Sequence, residues 1–436
     1  MRVDPVCGLD IGASSIRALM LEPGCSGGKE KILGFAEIPT KGFSKGVVSN
    51  LGLLSDRAEE AISKAEDNAH CRIRQVITNI SGMHIRTFKS RGSVHISDRP
   101  SEITEKDLAR CIESAKLIAM SLDREVVHII PERFYIDDKM EIAEPVGLFG
   151  SKLDVDLNIV TSLVSILQNL TKAVNMGGYE VEDIITSGAA ASLAIFDDKE
   201  LQEGAVIIDV GKDHTEASLF SDKKLRDCFY FPFGSNDLTL VLQDRFRMMF
   251  EDAEKLRIKC GIITRHSQQS YDDAEILIPS LRNKPDPGRE DAQSDQDRSG
   301  GNWVDSDSLS AGVRLSRREV SNLLFPKVEE IMQEVYKKIE PFARQRKKVP
   351  YIRIVGGPSK MDGFIEAIEE VFNMPVEMAR IRDTSEIQDT TFACALGLAR
   401  YGASKRFEKK SRSIANNSNL VGKAISKIQS LLSEYF

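Results

Sequence analysis

Apolar and polar positions are most regularly ordered in residues 205–220, AVIIDVGKDHTEASLF: an apolar strand, a polar turn opened by Asp209 and Gly211, then a second strand. Residues 6–21 read the same way, with Asp10 and Gly12 preceding Asp209 and Gly211 at an offset of 199 positions (10 to 209). Two such hairpins opening halves of similar size predict a duplicated domain. Residues 27–39 read as another strand closing the first sheet, with Gly27 and Gly28 at the turn. Residues 51–69 have helical spacing, and 74–82 is a strand running into Gly82. Residues 83–161 are polar in character, with a helix over 101–120, a strand pair over 125–138 and a turn-rich stretch over 144–153. They predict an inserted domain, because the strand LDVDLNIVTS (153–162) and the helix that ends at Gly177 and Gly178 resume the earlier pattern.

The second half continues through a helical stretch containing EDAEKLRIKCG (251–261) to residues 282–312, where four basic and seven acidic residues stand among almost nothing apolar. That composition predicts a disordered surface loop, and Trp303, the one tryptophan, lies inside it. Residues 315–343 form a long amphipathic helix with a bend expected at Pro326, leading to the strand YIRIV and the pair Gly356 and Gly357. Residues 404–419 read as a flexible linker. Beyond it the apolar positions Leu420, Val421, Ile425, Ile428, Leu431, Leu432 and Phe436 make one stripe on a short helix, suited to lie in a headgroup layer and too short to span it. The same stripe would also suit a helix packed on its own domain; the basic linker favours anionic lipid.

At 436 residues, 41% hydrophobic and 29% charged, the chain is a folded protein too long for one core. A net charge of −7 gives no reason to expect nucleic acid. Seven scattered cysteines, never spaced C-x-x-C, read as thiols in a reducing compartment, and the N-terminus has no signal-peptide pattern. The chemistry is concentrated in the turns. Successive amides in such a turn cradle phosphate, and its aspartate can hold Mg²⁺ through water. Facing one cleft, two of them would grip a nucleotide from both sides; taken singly, each is also compatible with an ordinary β-hairpin.

The two Asp-x-Gly hairpins, the late glycine pair and the insertion after the first sheet together resemble the actin-like ATPase superfamily. HIIPERFYIDD with EPVGLFGSKL, EDAEKLRIKCG, LSRREVSNLLFPKVEEI and NLVGKAISKIQSLLSEYF narrow the resemblance to the FtsA family of bacterial cell-division proteins. The resemblance implies an α/β, actin-like (ribonuclease H-like, duplicated) two-lobed fold with an FtsA-type inserted domain. Its expected parts are 1–82 with 162–203 and 376–403; the insert 83–161; 204–243 with 328–375; a small domain 244–327; the linker; and a membrane-targeting helix 420–436.

For the site, the resemblance implies ATP and Mg²⁺. Asp10, Gly12, Ser14 and Ser15 would meet the phosphates, with Mg²⁺ held through water by Asp10. Asp209, Gly211 and Lys212 would form the opposing turn, Glu254 and Arg257 would lie at the ribose, and Gly356 and Gly357 against the adenine. Ala13 and Lys212-Asp213-His214 depart from the family pattern: Asp213 would add negative charge where a triphosphate sits, positive φ there would strain the turn, and His214 reads as a surface turn residue. The implied function is to polymerise and tether FtsZ filaments to the cytoplasmic membrane at the septum, with at most weak ATPase activity. The implied partners are the FtsZ C-terminal peptide, further copies of the chain, anionic membrane and other divisome proteins. Arg317, Arg318 and Lys327 are the candidate contacts for that peptide, or else solvated helix charges. A pilus-assembly scaffold of the same fold and a phosphotransferase of the sugar-kinase branch are the alternatives.

Overall fold

The computed structural model describes residues 4–24, 30–119, 121–138, 140–261, 263, 275–278, 313–346 and 348–415. The acidic loop with Trp303, the turn at Gly27 and Gly28, and the terminal segment 420–436 lie outside the described residues.

Two five-stranded sheets carry the molecule. In the first, strands Lys31–Pro39, Ser15–Glu22, Val6–Ile11, Gln75–Ile80 and Glu180–Thr186 lie side by side in that order. In the second the order is Lys224–Phe231, Thr215–Ser221, Ala205–Val210, Tyr351–Val355 and Glu377–Met378. Each reads as three antiparallel strands followed by two parallel ones. The registers repeat as well. Val6 faces Leu21 and Asp10 faces Arg17 in the first hairpin, while Ala205 faces Phe220 and Asp209 faces Glu216 in the second, all at the one offset of 199. An insertion or deletion in either hairpin would break that equality, so both copies have kept one strand-turn-strand length.

The insert is a four-stranded antiparallel sheet with the helix Glu105–Ala119 packed on it through Leu108, Cys111 and Ile112. Strand Lys152–Leu163 is central to this sheet, paired with Arg86–His95 on one side and Arg124–Ile136 on the other. LDVDLNIVTS therefore belongs to the insert, and the strand that resumes the core is Glu180–Thr186. The near-continuous burial of Lys152–Leu163 hid the distinction in the sequence. Of residues 125–138, expected as a strand pair, 125–136 form part of the single strand Arg124–Ile136. The insert also leans on the second lobe: Asn158 Nδ2 donates to Arg226 O at 2.6 Å and Lys224 Nζ to Pro131 O at 2.7 Å.

Three expected boundaries move. Arg317–Arg344 is one helix that contains Pro326 and Pro341, so the expected cut between 327 and 328 falls inside it. Ser316 caps that helix with Glu319 in a reciprocal capping box, and Val320, Leu324, Val328, Ile331, Val335 and Ile339 bury one stripe against the second sheet. The strand Glu377–Met378 joins the second sheet, although 376–403 was expected with the first. The last described helix, Ala393–Ala415, continues through residues 404–415, which were expected as flexible linker. Charge is the reason: Arg406 pairs with Glu182 at 3.0 Å, and Lys405 pairs with Asp183, which also accepts from Tyr401 at 2.9 Å. Among the described residues no helix is long and apolar enough to cross a membrane.

Candidate functional site: a cleft between two matched turns

Both hairpins point their turns into one cleft of about 650 Å³. The turns close identically: the Gly12 amide donates to Ser15 O at 3.1 Å, and the Gly211 amide to His214 O at 3.0 Å. A Cβ on Gly12 would approach Ser15 O at 3.2 Å, and one on Gly211 would approach His214 O at 2.9 Å, so a glycine lets each turn fold this tightly. Among the described hydrogen bonds none uses the amides of Ala13, Ser14 or Lys212, three residues on the cleft wall. At equivalent positions, 15 and 214, Ser15 Oγ and His214 Nδ1 are buried without a protein partner. A buried polar atom left unpaired costs about 1–3 kcal/mol. Two of them flanking one cleft, beside unused amides, are what a phosphate-bearing ligand with bound water would satisfy.

All eleven residues expected to hold a nucleotide line this cleft: Asp10, Gly12, Ser14, Ser15, Asp209, Gly211, Lys212, Glu254, Arg257, Gly356 and Gly357. Asp10 Oδ1 accepts from Asn79 Nδ2 at 2.8 Å, and Asn79 also holds the Ile11 amide and the Ser187 hydroxyl, so the aspartate is fixed from the neighbouring parallel strand. Lys212 Nζ lies 3.7 Å from Glu254 Oε1. Arg257 is buried, with Nε donating to Thr239 Oγ1 at 2.9 Å. Gly356 has φ +95°, and a Cβ there would meet Val210 O at 2.2 Å; beside it, Gly357 faces open space with nothing within 4 Å. Strand Tyr351–Val355 thus ends in bare backbone against which a planar base can rest.

The second turn is not the damaged one its sequence suggests. Lys212, Asp213 and His214 all have negative φ, so no strain arises there. Asp213 is absent from the cleft wall: its carboxylate accepts from the Lys45 amide at 2.9 Å and from Asn236 Nδ2 at 2.7 Å. His214 is no surface residue; it lines the cleft and reaches Ser81 of the first lobe at 2.7 Å. These partners stand 23 to 168 positions away in sequence, beyond the reach of local pattern. Sequence reasoning also missed Asn79, Ser81 and Glu216, none of which sits in a turn motif.

Of the candidate peptide contacts, Arg317 is taken up by the cleft, pairing with Asp362 at 2.9 Å. Arg318 is exposed, and Lys327 pairs with Glu330 at 2.9 Å. At 3.6 residues per turn, Arg318 and Lys327 stand about half a turn apart, so the three cations do not form one patch.

Three carboxyls, Asp10, Asp209 and Glu216, line the cleft, with Arg17 3.5 Å from Asp10. Burial raises the pKa of Asp10 and Glu216, and burial followed by repulsion from Glu216 and Asp10 holds Asp209 at about 7. A folded-state pKa above the ordinary carboxyl value near 4 favours the folded protein at low pH, and that advantage is lost as pH rises from about 4 to about 7. Asp209→Asn is therefore expected to stabilise the nucleotide-free, metal-free protein at pH 8 by on the order of 1–3 kcal/mol more than it does at pH 5. Urea midpoints at the two pH values measure this; an equal gap at both would contradict it. A divalent cation is the natural partner for such a site, and among the described residues no three His, Cys, Asp or Glu side chains converge to ligate one directly. The donor set fits a cation held through water by Asp10.

Comparison with known proteins agrees with this geometry. The model of the SHS2 domain inserted in FtsA matches residues 82–161, and the model of cell division protein FtsA matches residues 206–397, together more than half of the chain. The chain belongs to the FtsA family. It is 28% identical over 436 residues to the cell division protein FtsA of Borreliella burgdorferi, covering 99% of each chain. It is 27% identical to that of Pseudomonas aeruginosa over 95% of this chain and 93% of the relative. Among solved structures it resembles the PilM-PilN type IV pilus biogenesis complex, with TM-score 0.61, 16% identity, and 91% and 98% of the two chains covered. It also resembles MreB5 of Spiroplasma citri bound to ADP, with TM-score 0.53, 12% identity, and 94% and 99% covered. Those two share the actin-like fold, in which FtsA-family proteins carry an inserted domain in the place seen here.

Proposed function

We propose that this FtsA-family protein binds ATP with Mg²⁺ in the cleft, assembles into short filaments and ties FtsZ polymers to the inner face of the cytoplasmic membrane at the division septum. The observation that carries the reading is the pair of turns, closed by the same bond at one sequence offset, both lining a single cleft and each holding a buried polar atom without a protein partner. In this reading Lys212 supplies positive charge on the second turn, Asp10 holds Mg²⁺ through water, and Glu254 and Arg257, both on the cleft wall, are the ribose contacts. The Spiroplasma citri MreB5 solved with ADP supports a nucleotide in a cleft of this fold.

Membrane attachment rests on the sequence of residues 420–436. One such segment is a weak anchor, and joining protomers in a filament multiplies it through effective concentration. For the FtsZ peptide, the geometry leaves Arg318 as the exposed cation at the start of helix Arg317–Arg344. Two measurements test the reading. MgATP at 100 times its Kd is expected to add about 2.7 kcal/mol to the free energy of unfolding, and no change up to millimolar concentration would remove nucleotide from it. Removing residues 420–436 is expected to abolish sedimentation with anionic liposomes; undiminished pelleting would remove the membrane.

A further inference from the structure

His214 Nε2 lies 2.7 Å from Ser81 Oγ, and the same Oγ lies 2.7 Å from Glu216 Oε2. Glu216 Oε1 is held by the Gly188 amide and the Ser218 hydroxyl, each at 2.9 Å. A hydroxyl has one proton to give. Three donors converge on Glu216 and hold it as a carboxylate against the upward push of burial, so Ser81 donates to it and accepts from His214, which puts the ring proton on Nε2 and a lone pair on Nδ1. Burial lowers the pKa of His214 and keeps the ring neutral. Nδ1 is a buried acceptor with no protein donor, and the open space that His214 borders is the cleft. With no protein donor in reach, a water admitted from the cleft side would supply one.

We propose that His214 is the general base for hydrolysis of a nucleoside triphosphate bound in this cleft, and that Ser81 and Glu216 position it. The proposal rests on the nucleotide-binding reading above. A water hydrogen-bonded to Nδ1 attacks the terminal phosphorus and gives its proton to Nδ1. The bridging P–O bond breaks, and its electron pair leaves with the nucleoside diphosphate. The imidazolium formed is stabilised through Nε2–H and Ser81 by the Glu216 carboxylate, the logic of a base oriented by a third group. Ser81 follows strand Gln75–Ile80 in the first lobe, whereas His214 and Glu216 belong to the second hairpin. The base is therefore oriented only while the lobes meet, which ties hydrolysis to closure of the cleft.

The test is MgATP binding by calorimetry and MgATP turnover by phosphate release, on the full chain. His214→Asn, with His214→Gln as a second variant, is expected to lose about 100-fold or more in turnover, far more than any change in its Kd. Ser81→Ala is expected to lose about tenfold or more, and Ser81→Thr, which restores the hydroxyl, to recover most of it. Unchanged turnover in both His214 variants would overturn the proposal. So would an acid-labile phosphate on the chain, which would make His214 the nucleophile. Binding by the wild-type protein with no turnover would overturn it and leave nucleotide binding standing; no binding at all would overturn both.

Discussion

Gly211→Val is expected to weaken MgATP binding by at least a hundredfold while leaving the protein folded. A Cβ at this position already approaches His214 O at 2.9 Å, and that oxygen is the acceptor of the bond that closes the turn. The γ-methyls of valine must go either against that carbonyl, opening the turn, or into the cleft where a phosphate would rest. Both remove the arrangement of amides on which anion binding depends. A hundredfold loss is about 2.7 kcal/mol of binding free energy. The same substitution at Gly12, whose Cβ would meet Ser15 O at 3.2 Å, is expected to act in the same direction because the two turns are built alike. Calorimetric titration measures both. If either variant binds within threefold of the wild-type protein, that turn is not part of a phosphate site.

Gly397→Val is expected to have the largest effect on stability, more than about 4 kcal/mol, enough to remove folded protein from solution. A Cβ on Gly397 would stand 1.7 Å from Ala190 O and 2.4 Å from Ala190 C, so helix Ala393–Ala415 and helix Ser187–Ile195 touch backbone to backbone. The same helix presses on the first strand, where a Cβ on Gly8 would stand 2.0 Å from Ala395 O. No rotamer relieves a clash between main chains; the helices must separate, opening the cluster that includes Ala190, Ala194, Leu396 and Leu398. Urea unfolding and soluble yield measure the outcome. A variant that folds with a loss under 1 kcal/mol would show that the packing is looser than these distances require.

These two positions show what a single sequence reveals and what it hides. The turns were legible because a strand, a sharp polar turn and a strand are encoded within 16 consecutive residues, and because the second copy repeats the first at a fixed offset. The insert was legible for a related reason, since its change of character is local. Gly397 gave no signal: a glycine inside a helix pattern says nothing about which main chain lies across it. The same distance between cause and pattern explains the corrections. Residues 404–415 look like a linker by composition, yet Lys405 and Arg406 pair with Asp183 and Glu182, more than 200 positions earlier. Lys212-Asp213-His214 looked like damage to a phosphate turn because the partners that occupy Asp213 and His214 come from Lys45, Asn236 and Ser81. Arg317 looked like a free surface cation until the fold brought Asp362 to it. For the turn residues and Arg317 the local pattern placed the residue on its element and tertiary contact decided what the side chain does; for 404–415 tertiary contact decided the element as well.

The most direct measurement is a structure of the protein with Mg²⁺ and a non-hydrolysable ATP analogue. The expected result is one triphosphate within hydrogen-bond reach of residues 12–15 and of residues 211–214 together, with the base against Gly357. Phosphates held by one turn alone, or bound outside the cleft, would contradict the account.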